Sequence, residues 1–229
     1  MGIAYNTSIV RNGLVLHLDA ANTKSYPGSG TTAVDISSKG NNGTLLNGVS
    51  YSTNNKGYFI FDGTNDTINC GAVSQVGSSL TGLTVSVWLN TNSNSTKIIL
   101  ENGNGYTTNT FYLAQENANY FTFEVYGGGY DVVYANYVYQ LNTWYNLVGV
   151  WTSGNRVQMY TNGTQTSGTL GGGVVTNVIN GNTDFFVGTR AGTQYPFSGN
   201  IGDVKIYNRA LTATEIKQNF EALRGRYGI

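Results

Sequence analysis

Along most of this chain apolar and polar residues alternate with a period of two, the pattern of strands buried on one face. In LVLHLD (14–19), Leu14, Leu16 and Leu18 alternate with Val15, His17 and Asp19. In TVSVWLN (84–90), Val85, Val87 and Leu89 share a side, and in YFTFEVY (120–126) Phe121, Phe123 and Val125 do the same. WYNLVGVW (144–151) is apolar on both faces, as a central strand would be. RVQMYTNGTQTSG (156–168) predicts a hairpin, because Asn162-Gly163 supplies the positive φ angles of a type I′ turn. One helix is predicted, over about 212–224. Thr212 and Glu215 form a capping box, Ile216, Phe220 and Leu223 make an apolar stripe, and Gly225 is placed to end it.

Many short strands, Gly- and Asn-rich turns and a single helix predict an all-β fold, an antiparallel β-sandwich. Its core is expected to draw on Phe59, Phe61, Val85, Val87, Phe121, Phe123, Val148, Val150, Val204 and Ile206. Neither a repeat nor a linker divides the chain. Residues 14–229 read as one domain, and residues 1–13 as an arm that is mobile or held by a partner.

Composition narrows the function classes. The 229 residues carry 12 basic and 12 acidic side chains, and only 10% are charged. With no basic run, binding to a nucleic-acid backbone is not expected. No apolar run approaches membrane-spanning length, and MGIAYNTSIVRNG at the start lacks the apolar segment of a secretory signal. Solubility rests on Asn, Thr, Ser, Gly and tyrosine hydroxyls, a neutral polar surface suited to glycan binders and to displayed β proteins. The single cysteine, Cys70, has no partner for an internal disulfide and reads as a packed strand residue. His17, the one histidine, has no nucleophile motif around it and reads as structural.

Two segments carry a resemblance. FSGNIGDVKIYNRALTATEI (197–216) runs a strand into a capped helix, and YFIFDGTNDTINCG (58–71) joins two strands through a Phe-Asp-Gly-Thr-Asn-Asp turn. With TVSVWL and NTWYNLVGVW between them, they resemble the laminin-G-like, concanavalin-A-like jelly-roll domains from Leu14 to Phe220. The resemblance implies a jelly roll, and it raises two chemistries. β-Glucanases of the superfamily set acids at alternate positions of one strand, about 5–5.5 Å apart in retaining enzymes. No such pattern occurs among Glu101, Glu116, Glu124, Glu215 and Glu221, so no catalytic residue is assigned and no enzymatic activity is expected. Glu124 is the one outward-facing strand acid in that reading.

The other chemistry is a structural calcium at the sandwich rim, the one cofactor the resemblance implies. If first and last strands lie antiparallel, Asp19 and Asp203 meet at one edge. Asp62 and Asp66, flanking Gly63-Thr64-Asn65, form a second candidate pair. The alternative for all four is hydrogen bonding to turn amides.

The opening segment, residues 13–51, is similar to jelly-roll proteins on virions of tailed phages, marine and cyanobacterial ones among them. Those carry an aromatic before an Asp-Leu-Ser-Gly turn, where this chain has Val34-Asp35-Ile36-Ser37-Ser38. The resemblance implies a non-enzymatic virion structural protein assembled in the host cytoplasm: a capsid decoration, head fibre or tail-associated adhesin. Its partners would be other capsid or tail proteins, further copies of itself and host-surface glycans. A bacterial carbohydrate-binding or adhesion module is the alternative, and a glycan-cleaving enzyme the third. Starting at Met1, the chain is expected to be a complete small protein.

One aromatic cluster stands apart from these resemblances. VYGGGYDVVYANYVYQ (125–140) holds Tyr126, Tyr130, Tyr134, Tyr137 and Tyr139. Tyrosine offers a flat apolar face and a hydroxyl, which suits sugar rings and protein interfaces alike. These five are the candidate ligand or interface residues. Ordinary cross-strand pairing on a β surface is the other reading.

Overall fold

A computed structural model describes residues 8–77, 80–103, 110–117, 120–136, 138–176 and 183–229. Among the described residues, seventeen strands run in chain order. The first six are β1 (Leu14–Asp19), β2 (Thr32–Ala33), β3 (Gly43–Leu46), β4 (Ser50–Ser52), β5 (Tyr58–Asp62) and β6 (Thr67–Ala72). Then come β7 (Gly82–Thr91), β8 (Lys97–Asn102), β9 (Phe111–Glu116), β10 (Tyr120–Tyr126), β11 (Tyr130–Ala135) and β12 (Trp144–Thr152). The last are β13 (Gln158–Thr161), β14 (Thr164–Gln165), β15 (Gly168–Gly172), β16 (Asp184–Val187) and β17 (Ser198–Tyr207), followed by helix α1 (Ala213–Tyr227).

They form two antiparallel sheets packed face to face, the predicted sandwich. One sheet has eight strands, ordered β14-β13-β12-β7-β17-β5-β4, with β1 also on β17. The other has nine, ordered β15-β11-β10-β9-β8-β16-β6-β3-β2. Long β17 anchors the first sheet. Its first half pairs with β5 and its second half with β1, with a register shift between Ile201 and Asp203. The Phe-Asp-Gly-Thr-Asn-Asp turn is a corner, carrying the chain from β5 in one sheet to β6 in the other.

Alternation builds the core as expected. Val85, Val87, Leu89, Phe59, Phe61, Val204 and Ile206 from one sheet meet Phe121, Phe123, Val125, Leu113 and Phe185 from the other. Cys70 is packed in this core, and burial holds its thiol protonated, far above the usual range. Val148 and Val150, expected there, lie instead on the far side of β12 with Leu211, Ile216 and Tyr207. The period of two decides this: Tyr145, Leu147 and Trp151 take the inner positions, and Gly149 sits beneath the Phe123 ring where a Cβ would collide.

Helix α1 covers the outer face of the eight-stranded sheet, which is why β12 is apolar on both sides. The capping box forms as predicted, and Arg209 together with the N-cap holds the Glu215 carboxyl down to about 2. The helix does not stop at Gly225. It continues to Tyr227 and ends at Gly228 in the left-handed conformation. Packing outweighs the roughly 1 kcal/mol cost of an interior glycine: Tyr227 stacks on Trp88 at 4.2 Å and lies against Trp144 at 4.6 Å. Phe220 stacks on the same indole at 5.7 Å. The predicted hairpin turn is present, with Asn162 and Gly163 at φ 51° and 73°. Gly163 has a second constraint, since a Cβ there would lie 2.9 Å from the Phe220 ring.

The N-terminal segment departs from a free arm over its described part. Val10 donates its backbone N–H to Asn219 and accepts from the Tyr207 hydroxyl, and Gln218 reaches the Ser8 carbonyl. Residues 8–13 are held by the chain's own helix and last strand. Among the described residues no helix is long and apolar enough to cross a membrane.

Candidate functional site

The outer face of the nine-stranded sheet gathers the chemistry that the strand pattern scattered along the chain. On β10, Phe121, Phe123 and Val125 point into the core, so Tyr120, Thr122, Glu124 and Tyr126 point out. Register then selects their neighbours. Glu124 stands opposite Tyr112 of β9 and Val132 of β11, Tyr120 opposite Glu116, Thr122 opposite Tyr134, and Tyr126 opposite Tyr130. Tyr112 in turn stands opposite Glu101 of β8. One face therefore carries Tyr112, Tyr120, Tyr126, Tyr130 and Tyr134 with Glu101, Glu116 and Glu124.

The rings form cross-strand pairs. Tyr120 and Tyr134 meet edge to face at 5.9 Å, Tyr126 and Tyr130 are tilted at 6.0 Å, and Tyr112 and Tyr126 are stacked at 6.5 Å. Tyr130 is 46% exposed, while Tyr120, Tyr126 and Tyr134 are half-buried. Glu124 is buried and accepts a hydrogen bond from the Tyr112 hydroxyl. Glu116 is half-buried and accepts from Thr96 Oγ1 at 2.9 Å. Burial, then the charge of Glu124, raises its carboxyl above the usual range against the Thr96 bond. Burial also raises the Tyr134 hydroxyl, and Glu124, Tyr120, Tyr130 and Glu116 add to the shift, so these groups share one electrostatic neighbourhood.

The loop that follows β16, the neighbour of β8, closes on this face. Arg190 is buried, with Nε 3.5 Å from a Glu101 oxygen and its guanidinium 4.8 Å from the Tyr112 ring centroid and 5.3 Å from that of Tyr195. The other Glu101 oxygen accepts the Ala191 N–H at 3.1 Å. At the opposite edge, Gly127, Gly128, Gly129, Tyr130, Gly172 and Gly173 line a shallow hollow of about 420 Å³.

Of the predicted tyrosines, three lie here: Tyr126, Tyr130 and Tyr134. Tyr139 does not. It is 2% exposed, stacked on Phe121 at 4.5 Å with its hydroxyl toward the Ser93 carbonyl. Burial pushes that hydroxyl up to about 12. Both ring faces belong to the core, so Tyr139 is a packing residue. Tyr137 lies outside the described residues. Tyr112, Tyr120, Glu101, Glu116, Arg190 and Tyr195 were missed. The signal for two of them was available in FYLAQE, where Tyr112 and Glu116 share a strand face.

The predicted rim aspartates are placed as expected but chemically occupied. Asp19 and Asp203 face each other across β1 and β17. With His17 they form the one group of at least three His, Cys, Asp or Glu side chains, among the described residues, whose ligand atoms lie within 4.8 Å. Asp203 is 1% exposed and bonded to His17 Nε2 at 2.8 Å and to Lys205 Nζ, while Asp19 takes Arg226 Nη1 at 2.7 Å. Burial opposes ionisation of Asp203, but Lys205, His17 and Arg226 overcome it and hold the carboxyl below the usual range. Two carboxylates facing a lysine and an arginine carry no surplus negative charge. Calcium takes about six to eight oxygen ligands, so this group does not fit it. Gly202 completes the arrangement: its carbonyl accepts from Arg226 and Ala20, and a Cβ there would strike Tyr227.

Asp62 and Asp66 bond turn amides, Asp62 accepting from Thr64 N–H at 2.7 Å and Asp66 from Asp62 N–H at 3.0 Å. The second Asp66 oxygen is buried without a partner, and burial raises this carboxyl. The pair supplies two of the ligands a calcium would need. Asp35 is likewise structural, accepting from His17 and Asn41 backbone N–H groups and from Ser37.

Two antiparallel sheets with an aromatic and acidic outer face define a sandwich of lectin-like architecture. Residues 61–217 match the model of a laminin-G-type family described as the concanavalin A-like lectin/glucanases superfamily, and the chain belongs to that family. No curated protein matches the sequence. Similar solved structures include a Trypanosoma rangeli sialidase in complex with 2,3-difluorosialic acid (TM-score 0.62, 16% identity, 92% of this chain and 33% of that one). The botulinum neurotoxin type G receptor binding domain is another (0.65, 14%, 92% and 51%). A third is domain 4 of an extracellular arabinanase from Geobacillus stearothermophilus, in complex with arabinotriose (0.61, 18%, 90% and 97%). The chain spans a third of the sialidase and half of the toxin domain; at these identities the likeness is one of fold.

Proposed function

We propose that this protein is a non-enzymatic saccharide-binding jelly roll whose binding surface is the outer face of the nine-stranded sheet. The carrying observation is the convergence of Tyr120, Tyr126, Tyr130 and Tyr134 with Glu116 and Glu124 on that one face. Tyrosine rings stack on the apolar faces of sugar rings, and carboxylates accept hydrogen bonds from sugar hydroxyls. The arabinotriose complex of a similar arabinanase domain supports the same ligand class. Binding rather than cleavage is supported by the carboxylates' partners: Glu124 is held by Tyr112, and Glu101 by Arg190 and the Ala191 amide.

The setting we propose is the virion of a tailed phage, as a capsid decoration, head fibre or tail-associated adhesin. Its support is the similarity of residues 13–51 to virion jelly rolls. Multiple copies would raise the avidity of weak single sites. Contacts with neighbouring subunits would use the open edge of β15, where Leu170 is exposed. A glycan array read with the parent and with Tyr130→Ala and Tyr134→Ala tests the binding face. The proposal expects saccharide binding that both variants weaken without a change in melting temperature. Binding that neither variant alters, or saccharide release by the pure protein, sinks it. Mass spectrometry of purified particles tests the setting, and absence of the protein from them would return it to a bacterial adhesion module.

A further inference from the structure

We propose that this face selects saccharides by charge, accepting neutral and amino-bearing sugars and excluding those that carry a carboxylate, such as sialosides and uronides. The inference rests on the binding face argued above and adds the chemical class it takes.

The charges decide it. Three neighbouring strands contribute Glu101, Glu116 and Glu124 to one face. The single guanidinium among them, Arg190, is already committed. It pairs with Glu101 and is flanked by the rings of Tyr112 and Tyr195. Ala191 and Tyr195, in the loop that holds it, sit at φ 50° and 49°, conformations retained where surrounding contacts over-determine them. Other cations are turned elsewhere. Lys97 stands opposite Gln115, on the other face from Glu116. Arg156 is bonded to Asp131 at 2.7 Å and to the Gly171 carbonyl. An incoming carboxylate would meet Glu116 and Glu124 with no free cation among the described residues of this face to receive it, whereas a hydroxyl or ammonium would find acceptors. Fold kinship with a sialidase points toward acidic sugars; the side chains here point away from them.

The test uses matched probes differing in charge: the β-1,4-linked hexamers of N-acetylglucosamine, glucosamine and glucuronic acid, with lactose and 3′-sialyllactose as a second pair, each displayed at equal density. The acidic member of each set should bind at least about tenfold more weakly than its neutral counterpart, the size expected for one unfavourable charge contact. The glucosamine hexamer should bind no more weakly than the neutral one. Glu116→Gln with Glu124→Gln should narrow the gap. If the double variant fails to fold, the half-buried Glu116→Gln alone should narrow it in part. Equal or tighter binding of the acidic probes, or a gap untouched by Glu116→Gln, overturns the proposal while leaving the face intact. Binding to none of the probes overturns the face itself, and the charge rule with it.

Discussion

Replacing Asp203 by asparagine should be among the most damaging single-atom-scale changes in this protein. The carboxylate is 1% exposed, and so is the Lys205 side chain that bonds it. Removing the negative charge leaves the buried Lys205 ammonium without the carboxylate that bonds it, on a strand position opposite His17. Breaking a buried pair in this way costs about 3–5 kcal/mol. In a chain of this size that lowers the melting temperature by roughly 6–20 °C. The sign with pH follows from the depressed Asp203 carboxyl. Its stabilisation is present above the unfolded-state value of about 3.9 and is lost as pH falls through the lower folded value. The parent should lose stability on acidification below about pH 4 while the variant changes less there. Lys205→Met added to Asp203→Asn should recover part of the loss, because the orphaned charge goes with it. Thermal melts with and without chelator complete the assay. A variant melting within a degree of the parent would refute the reasoning. So would a parent that loses stability in chelator while Asp203→Asn does not, since that is the behaviour of a calcium site.

Phe220→Ala should cost about 3 kcal/mol or more, since it empties the stack between Trp88 and the Asn162-Gly163 turn; a denaturation midpoint matching the parent would mean the helix does not dock. Gly163→Ala should also destabilise, from the Cβ facing Phe220 and the positive φ, whereas Gly225→Ala, which meets nothing within 4 Å, should stabilise by up to about 1 kcal/mol. Deleting residues 1–13 should lower the melting temperature by removing the Val10 bonds to Asn219 and Tyr207; a truncated protein that melts with the parent would mean these bonds hold nothing.

Much of the fold was legible because strand periodicity and turn chemistry are local. Phe121, Phe123, Val85 and Val87 declare their face by alternation, and Asn162-Gly163 and Thr212-x-x-Glu215 declare a turn and a cap. What stayed hidden depended on long-range contact. Val148 and Val150 are as apolar as any core residue, and only the helix docked on the outer face of β12 gives them a second layer in which to be buried. Gly225 looks like a terminator until Tyr227 finds Trp88. The site was harder still. A search for acids along one strand misses Glu101, Glu116 and Glu124, which come from three strands and meet through register. Tyr139 and Tyr130 share a sequence cluster but part at the end of β11, one into the core and one onto the surface. Asp19 and Asp203 were correctly placed at one edge, yet the residues that neutralise them, Lys205 and Arg226, gave no sign of that role in sequence.

The central claim is that saccharide binds on the outer face of the nine-stranded sheet. A crystal structure of the protein soaked with a neutral oligosaccharide that it binds on the array tests this most directly. The account predicts sugar rings stacked on Tyr120, Tyr130 or Tyr134, with hydroxyls within hydrogen-bond distance of Glu116. Sugar bound at the Asp62–Asp66 rim or beneath helix α1, with this tyrosine face bare, would contradict it.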